Sequence, residues 1–243
     1  MRYTADELLN TVLFGSLEWP GRTVRLERNS LLDYRNRSTS AQVSISELYH
    51  ENSKLSLELL PDLVLSDVDP TQLRQEFLRR RAVLATATPD ERLDVMEPWK
   101  ELLGPIAHHS LELFYAIELR ILDGGMLATY EPAGNVFRLV KAIDEREQLD
   151  AAVSLIQEGR DTPGRASLLF VLACFPRNEI ILGQRGYRRT LLEAGQVAQR
   201  ILSSTVQAGR TATAHYEFAD RDVDDIMEVD GVEHSTVIAI AVQ

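Results

Sequence analysis

Apolar and polar positions alternate with different periods along this chain, and the period divides it into two halves. In the first half the spacing is mostly helical. Leu8, Leu9, Val12 and Leu13 predict a short amphipathic helix over residues 1–15. Residues 22–46 mix β-branched and polar side chains with weak alternation and predict a few short strands. Residues 46–60 read as a helix with Ser46 as its N-cap, and Asp67 to Pro70 as a loop. A helix over residues 71–85 opens with Thr71 after a proline. A further helix restarts at Pro89-Asp90 and runs to Leu103, where Gly104-Pro105 is expected to end it.

The second half favours strands. Residues 110–122 alternate in part and predict a strand, followed by a hairpin turn at Asp123-Gly124-Gly125. Residues 126–130 and 136–141 flank a second turn at Pro132–Asn135. A charged amphipathic helix is expected over 144–158. The continuous apolar run at 166–175 reads as a central strand, buried on both faces. Residues 188–209 make the strongest helix, with Leu191, Ala194, Ala198, Ile201 and Thr205 as its apolar stripe and Leu192, Gly195 and Leu202 beside it. Strands at 211–216 and 235–242 close the chain around a short acidic helix from Asp220. The whole pattern is α+β.

Composition narrows the function classes. The 243 residues hold 26 Lys+Arg against 37 Asp+Glu, a formal net charge of −11, with 44% apolar residues. That is globular composition, and the acidic balance argues against nonspecific binding to nucleic acid or to an anionic membrane. No apolar run reaches membrane-spanning length, and MRYTADELLN lacks the features of a signal peptide. The single cysteine, Cys174, excludes an intrachain disulfide and reads as a buried core residue. These features together predict a cytoplasmic protein.

Generic chemical motifs are absent: there is no phosphate-binding glycine loop, nucleophile elbow or His-Glu-x-x-His metal helix. On a strand His108 and His109 would point to opposite faces, so no metal is expected there. Asp220, Asp222 and Asp224 have calcium-loop spacing, but Asp225 and Gly231 occupy positions where such a loop needs glycine and glutamate. They read as an acidic helix start. Arg79-Arg80-Arg81 reads as a solvated helix face able to meet a phosphate or an acidic partner.

One segment carries a more specific signal. Residues 175–200 read FPRNEIILGQRGYRRTLLEAGQVAQR. Phe175, Arg177, Gly183, Arg185, Gly186, Tyr187 and Arg188 follow the pattern F-x-R-x-x-x-K-Y-G-x-R-G-Y-R. Leu192, Glu193, Ala194, Gly195 and Gln199 follow L-E-A-G-H-x-x-Q-N, in register and without a gap. The segment resembles the SagB/McbC-type thiazole/oxazole-forming peptide dehydrogenases of the nitroreductase superfamily. Tyr49-His50 with Ser53-Lys54, then Ser110, Tyr115 and Glu118, and finally Phe218, Asp220 and Asp230-Gly231 agree with other motifs of that family. The resemblance covers residues 46–243 and leaves 1–45 as an N-terminal appendage.

The resemblance implies a nitroreductase-like fold with a mainly antiparallel sheet flanked by helices, dimerising through long helices. It also implies an FMN site shared across the dimer and a place in ribosomal peptide tailoring, where azolines become azoles. It assigns FMN contacts to Arg80, Arg81, Ser110, Arg185 and Arg188. Several positions depart from it. The family's catalytic Lys-Tyr pair falls on Ile181 and Leu182, which transfer no proton. Its flavin-side glycines fall on Glu112 and on Tyr216-Glu217, and its histidine and asparagine on Gln196 and Arg200. In the phosphate motif, serine and the last arginine become Ala82 and Leu84. Glu193 suits the start of the long helix. Arg185, Tyr187 and Arg188 either line the family's substrate or cofactor pocket or tie strand to helix through hydrogen bonds and dimer contacts, and His109, Glu112, Tyr187, Glu193, Gln196 and Tyr216 are the candidate pocket residues.

The lead expectation is a noncatalytic or repurposed subunit beside an active dehydrogenase or another peptide-modifying enzyme, with FMN absent or weakly held, no metal, and a peptide as substrate. One alternative is an active flavin oxidoreductase, complete only as a heterodimer. Another is an emptied pocket doing non-redox peptide chemistry with Glu112, His109 and Tyr216 as acid–base groups.

Overall fold

The computed structural model describes residues 69–87, 96–143, 167–183 and 185–243. The expected helices at 1–15, 46–60 and 144–158, the strands within 22–46, Tyr49, His50, Ser53, Lys54 and the 1–45 appendage lie outside the described residues.

Two helices come first, α1 (Pro70–Ala87) and α2 (Glu97–Ser110). Strands β1 (Ile117–Asp123), β2 (Met126–Glu131), β3 (Val136–Ala142) and β4 (Ser167–Cys174) follow. Helices α3 (Phe175–Leu182) and α4 (Arg185–Gln207) come next, and β5 (Ala212–His215), α5 (Asp220–Ile226) and β6 (His234–Val242) complete the order. The six strands form one antiparallel sheet in the order β3-β2-β1-β4-β6-β5. The β1–β2 hairpin turns on Gly124 and Gly125 at φ 56° and 78°, a conformation that favours glycine at both positions.

The pleat sends alternate residues to two cores. Leu119, Ile121, Leu169, Val171, Ile238 and Ile240 pack under α1, α2 and α4, with Phe77, Trp99, Val197 and Ile201 above them. Leu122, Leu168, Phe170 and Leu172 face the other way, against Phe218, Val223 and Met227 of the α5 region. β4 is buried on both faces, which explains its unbroken apolar run.

Several expectations are corrected. Gly104-Pro105 does not end α2, which continues to Ser110 with Pro105 inside it. Proline removes the bond to the carbonyl of Glu101, and Glu101 is exposed, so water can take that acceptor. His108 and His109 therefore sit on the last turn of a helix and not on a strand, with their rings edge to face at 5.1 Å. Residues 111–115 form a 3-10 turn, and the strand begins only at Ile117. Leu113, Phe114 and Tyr115 are all buried in this turn.

The buried face of α4 is rotated from the expected stripe. It contains Thr190, Glu193, Ala194, Val197, Ala198, Ile201 and Thr205, while Leu191 and Leu192 are 38% and 62% exposed. Thr190 and Thr205 satisfy their hydroxyls on the carbonyls of Gly186 and Ile201. Asp224 is more than part of an acidic helix start: it is buried and accepts from the backbone N–H of Thr236 at 2.6 Å and from Ser235 Oγ at 2.9 Å, tying α5 to β6. Cys174 ends β4, half-buried rather than in the core.

Candidate functional site

The segment bearing the strongest motif folds as two helices in close contact. α3 ends at Gly183, whose φ of 57° and ψ of −146° suit glycine, and Gly183 N–H bonds to the Glu179 carbonyl at 2.7 Å. Gly186 then lets α4 touch α3, because a methyl group there would lie 2.3 Å from the Glu179 nitrogen. Phe175 and Tyr187 stack with ring centres 4.3 Å apart. Tyr187 thus ties α3 to α4, helix to helix, where a tie of strand to helix was expected. Arg185 and Arg188 do not: both are exposed and have no hydrogen bond or ion pair among the described residues.

Glu193 does not serve the helix terminus. It is buried, and it accepts from Arg74 Nη1 at 3.3 Å, Asn178 Nδ2 at 2.8 Å and Arg189 Nε at 2.7 Å. Arg74 Nη2 also donates to Asn178 Oδ1 at 2.6 Å, so α1, α3 and α4 share one network. A second network centres on Glu118, also buried. It receives Arg177 Nη2 at 2.5 Å and Arg81 Nη1 at 3.2 Å, with His234 Nε2 at 3.5 Å. Arg81 Nε reaches Glu131 at 2.6 Å, and Arg138 reaches the same carboxylate at 3.3 Å. Rings and guanidinium groups join the two networks. Arg177 lies over Phe77 at 4.9 Å, Phe77 meets Tyr115 edge-on at 5.1 Å, and Arg74 lies over Tyr115 at 5.2 Å.

These networks have electrostatic consequences. Burial alone would raise the Glu118 carboxyl, but Arg81, Arg177 and His234 outweigh it and hold the group well below the usual carboxylate range. Burial pushes the His234 ring below its usual value, against the pull of Glu118. In both cases the unfolded chain binds the proton more readily, so acidification favours unfolding. The His234 contribution is lost as pH falls below about 6.5. The Glu118 contribution is complete above about 4.5 and is lost as pH falls further, through the folded value. Urea midpoints should therefore fall in the parent protein as pH drops below about 6.5, and the further fall below about 4.5 should be less steep in Glu118→Gln, which lacks that carboxyl.

The resemblance's phosphate ligands do not form a cradle. Arg80 Nε is held by Glu76 at 2.8 Å, and Arg81 by Glu118 and Glu131. Ile181 is in the core and Leu182 packs against it. Ser110 is buried at the α2 end and makes no capping bond. The proposed acid–base trio is likewise dispersed. His109 lines an open groove of about 300 Å³ between α2 and α4, whereas Glu112 and Tyr216 do not line it. The groove is bounded by Pro105, Ile106, Gln199, Arg200, Ser203, Ser204 and Gln207, and Gln196 sits exposed one turn before Arg200. His109 Nδ1 bonds to the Pro105 carbonyl at 2.7 Å. Arg74, Asn178 and the groove serines were not anticipated. Arg74 lies 119 positions from Glu193, and no local pattern connects them. Among the described residues no group of His, Cys, Asp or Glu could hold a metal ion, and no helix is long and apolar enough to cross a membrane.

No family model matches the chain, and no curated protein matches it in sequence. Solved structures do match. A putative nitroreductase from Anabaena variabilis superposes with a TM-score of 0.57 at 16% identity, covering 83% of this chain. The chain spans 46% of the length of that protein. A chain of the E. coli microcin synthetase McbBCD complex, solved with truncated pro-MccB17 bound, superposes with a TM-score of 0.52 at 15% identity, covering 99% of this chain and 94% of that one. At these identities the likeness is one of fold, and this chain has the nitroreductase fold that its Phe175–Arg200 segment implied, in a form shared with a chain of McbBCD.

Proposed function

We propose that this chain is a noncatalytic, SagB/McbC-type subunit of a peptide-modifying assembly in the cytoplasm, pairing with an active dehydrogenase or another modifying enzyme. One observation carries the reading: of the two arginines that the resemblance assigns to the FMN phosphate, Arg81 is already paired with two buried carboxylates and Arg80 is paired with Glu76 on the helix surface. A phosphate at Arg80 and Arg81 would compete with Glu76 and with two buried carboxylates, Glu118 and Glu131. Removing a partner from a buried ion pair strands the remaining charge, which costs several kcal/mol. The Lys-Tyr positions supply no proton donor or acceptor, since Ile181 is buried among apolar side chains and Leu182 packs beside it. The residues at the phosphate and Lys-Tyr positions therefore do not fit FMN.

What the residues do provide is a rigid frame. Glu193 and Glu118 each join several elements, and α4 keeps one long face toward solvent. That face is where the fold would meet another subunit, through long helices, and a peptide held between the two would lie beside it. A second reading, an oxidoreductase completed by a heterodimeric partner, is favoured by exposed Arg185 and Arg188, which remain free to meet an anion.

The visible spectrum of the purified chain, recorded before and after adding FMN and removing the excess, tests the proposal. The expected result is a colourless protein that retains no flavin band. A stoichiometric band overturns it. Activity toward an azoline peptide that emerges only when a partner chain is mixed in supports the second reading.

A further inference from the structure

The outward face of α4 is cationic in an acidic protein. The helix bears Arg185, Arg188, Arg189 and Arg200 against a single carboxylate, Glu193, which is buried and shared with Arg74. Among the described arginines elsewhere, Arg79 and Arg80 reach Glu76, Arg81 and Arg177 reach Glu118, and Arg138 reaches Glu131. Arg185, Arg188 and Arg200 make no hydrogen bond or ion pair among the described residues. Between them the face is apolar and low. Leu191 and Leu192 are exposed, Gly195 has no neighbour within 4 Å of where a side chain would begin, and Ser203 and Pro105 border the groove with α2.

We infer that this exposed face of α4, with the groove at its C-terminal half, binds an acidic, partly apolar segment of a different polypeptide chain. This deepens the subunit reading above and rests on it. Charge complementarity selects the occupant. In a two-fold contact the same surface meets itself, so a second copy would set arginines against arginines with no exposed carboxylate on α4 to receive them. The geometry also sets a spacing. Arg185 and Arg200 are 15 positions apart in the helix, so about 22 Å along its axis. An extended strand covers that in about seven residues at about 3.3 Å each. The expected ligand therefore carries two carboxylates about seven residues apart, with apolar residues between them to cover Leu192.

Fluorescence anisotropy of the full chain with a labelled synthetic peptide tests this. The peptide carries two glutamates about seven positions apart with leucines between them. The controls are the same composition with adjacent glutamates, a version with lysines in their place, and a labelled single-stranded oligonucleotide. The spaced peptide should bind most tightly and weaken with salt. Arg185→Glu combined with Arg200→Glu should weaken it by about tenfold or more, and Leu192→Ser should weaken it as well. Both variants lie on the exposed face and should keep the parent's circular dichroism melt. Unchanged binding in the double variant overturns the inference. So does an oligonucleotide that binds as tightly, or a salt-resistant homodimer of the parent that Leu192→Ser abolishes. FMN titration of the same samples separates the two proposals. Flavin uptake that the double variant retains sinks the noncatalytic reading alone. Uptake that the double variant loses overturns both.

Discussion

Glu118→Gln lowers the free energy of unfolding by about 3–5 kcal/mol, the usual cost of removing one partner from a buried ion pair. Its neighbours set that size. Arg177 and Arg81 both point at Glu118, and their side chains are almost as buried as the carboxylate. The amide keeps the shape but leaves the Arg177 guanidinium without its counter-charge and Arg81 with Glu131 alone, in a largely buried site. The outer arm of the same network behaves differently. Arg138 is 57% exposed, so Arg138→Gln should change stability by no more than about 1 kcal/mol. Urea unfolding of the two variants checks the contrast, and equal effects would mean that Glu118 is solvated. The loss is large against the roughly 5–15 kcal/mol that holds a typical domain folded.

Gly186→Ala destabilises by about 1–3 kcal/mol or more, through overpacking. The added methyl would sit 2.3 Å from the Glu179 nitrogen and 2.4 Å from the Asn178 carbonyl carbon. Both are backbone atoms and cannot swing aside, so α3 must move off α4. That movement also pulls Asn178 away from Glu193 and Thr190. Gly195→Ala is the internal control. It lies on the same helix, exposed, with nothing within 4 Å, so alanine should stabilise by about 0.5–1 kcal/mol through lower backbone entropy in the unfolded chain. Opposite signs on thermal unfolding are the expected result. Two changes of the same sign would mean that the α3–α4 contact is looser than the geometry indicates.

These two residues also show what the sequence made legible. Gly183, Gly186, Tyr187 and Glu193 formed a spaced pattern because each meets a local demand: a left-handed turn, a helix contact, a ring stack, a buried acceptor. A motif of that kind announces a fold, and the fold followed. The strands β2 and β3, the continuous apolar run of β4 and the glycine hairpin were equally readable, and β1 from Ile117 onward. Three things were not. α2 runs through Gly104-Pro105 because the orphaned carbonyl faces solvent, which depends on the burial of Glu101 and not on proline itself. The facing of α4 was set by Glu193, a charged residue turned inward by partners from two other helices. The fates of Arg80 and Arg81 depend on Glu76, Glu118 and Glu131 in three different elements. Tertiary partners of this kind leave no periodicity to read.

Strand order has a kinetic meaning as well. β6 lies between β4 and β5, so the strand synthesised last among those described is an interior one. Until Val242 has emerged, Phe170 and Val171 lack a neighbour on one side and β5 has none at all. The β4–β6 pairing joins residues 60 to 75 positions apart, from Cys174 with His234 to Ser167 with Val242, and contacts of that range close slowly. During translation the nascent sheet therefore stays open at its most apolar strand until β6 has emerged to pair with it.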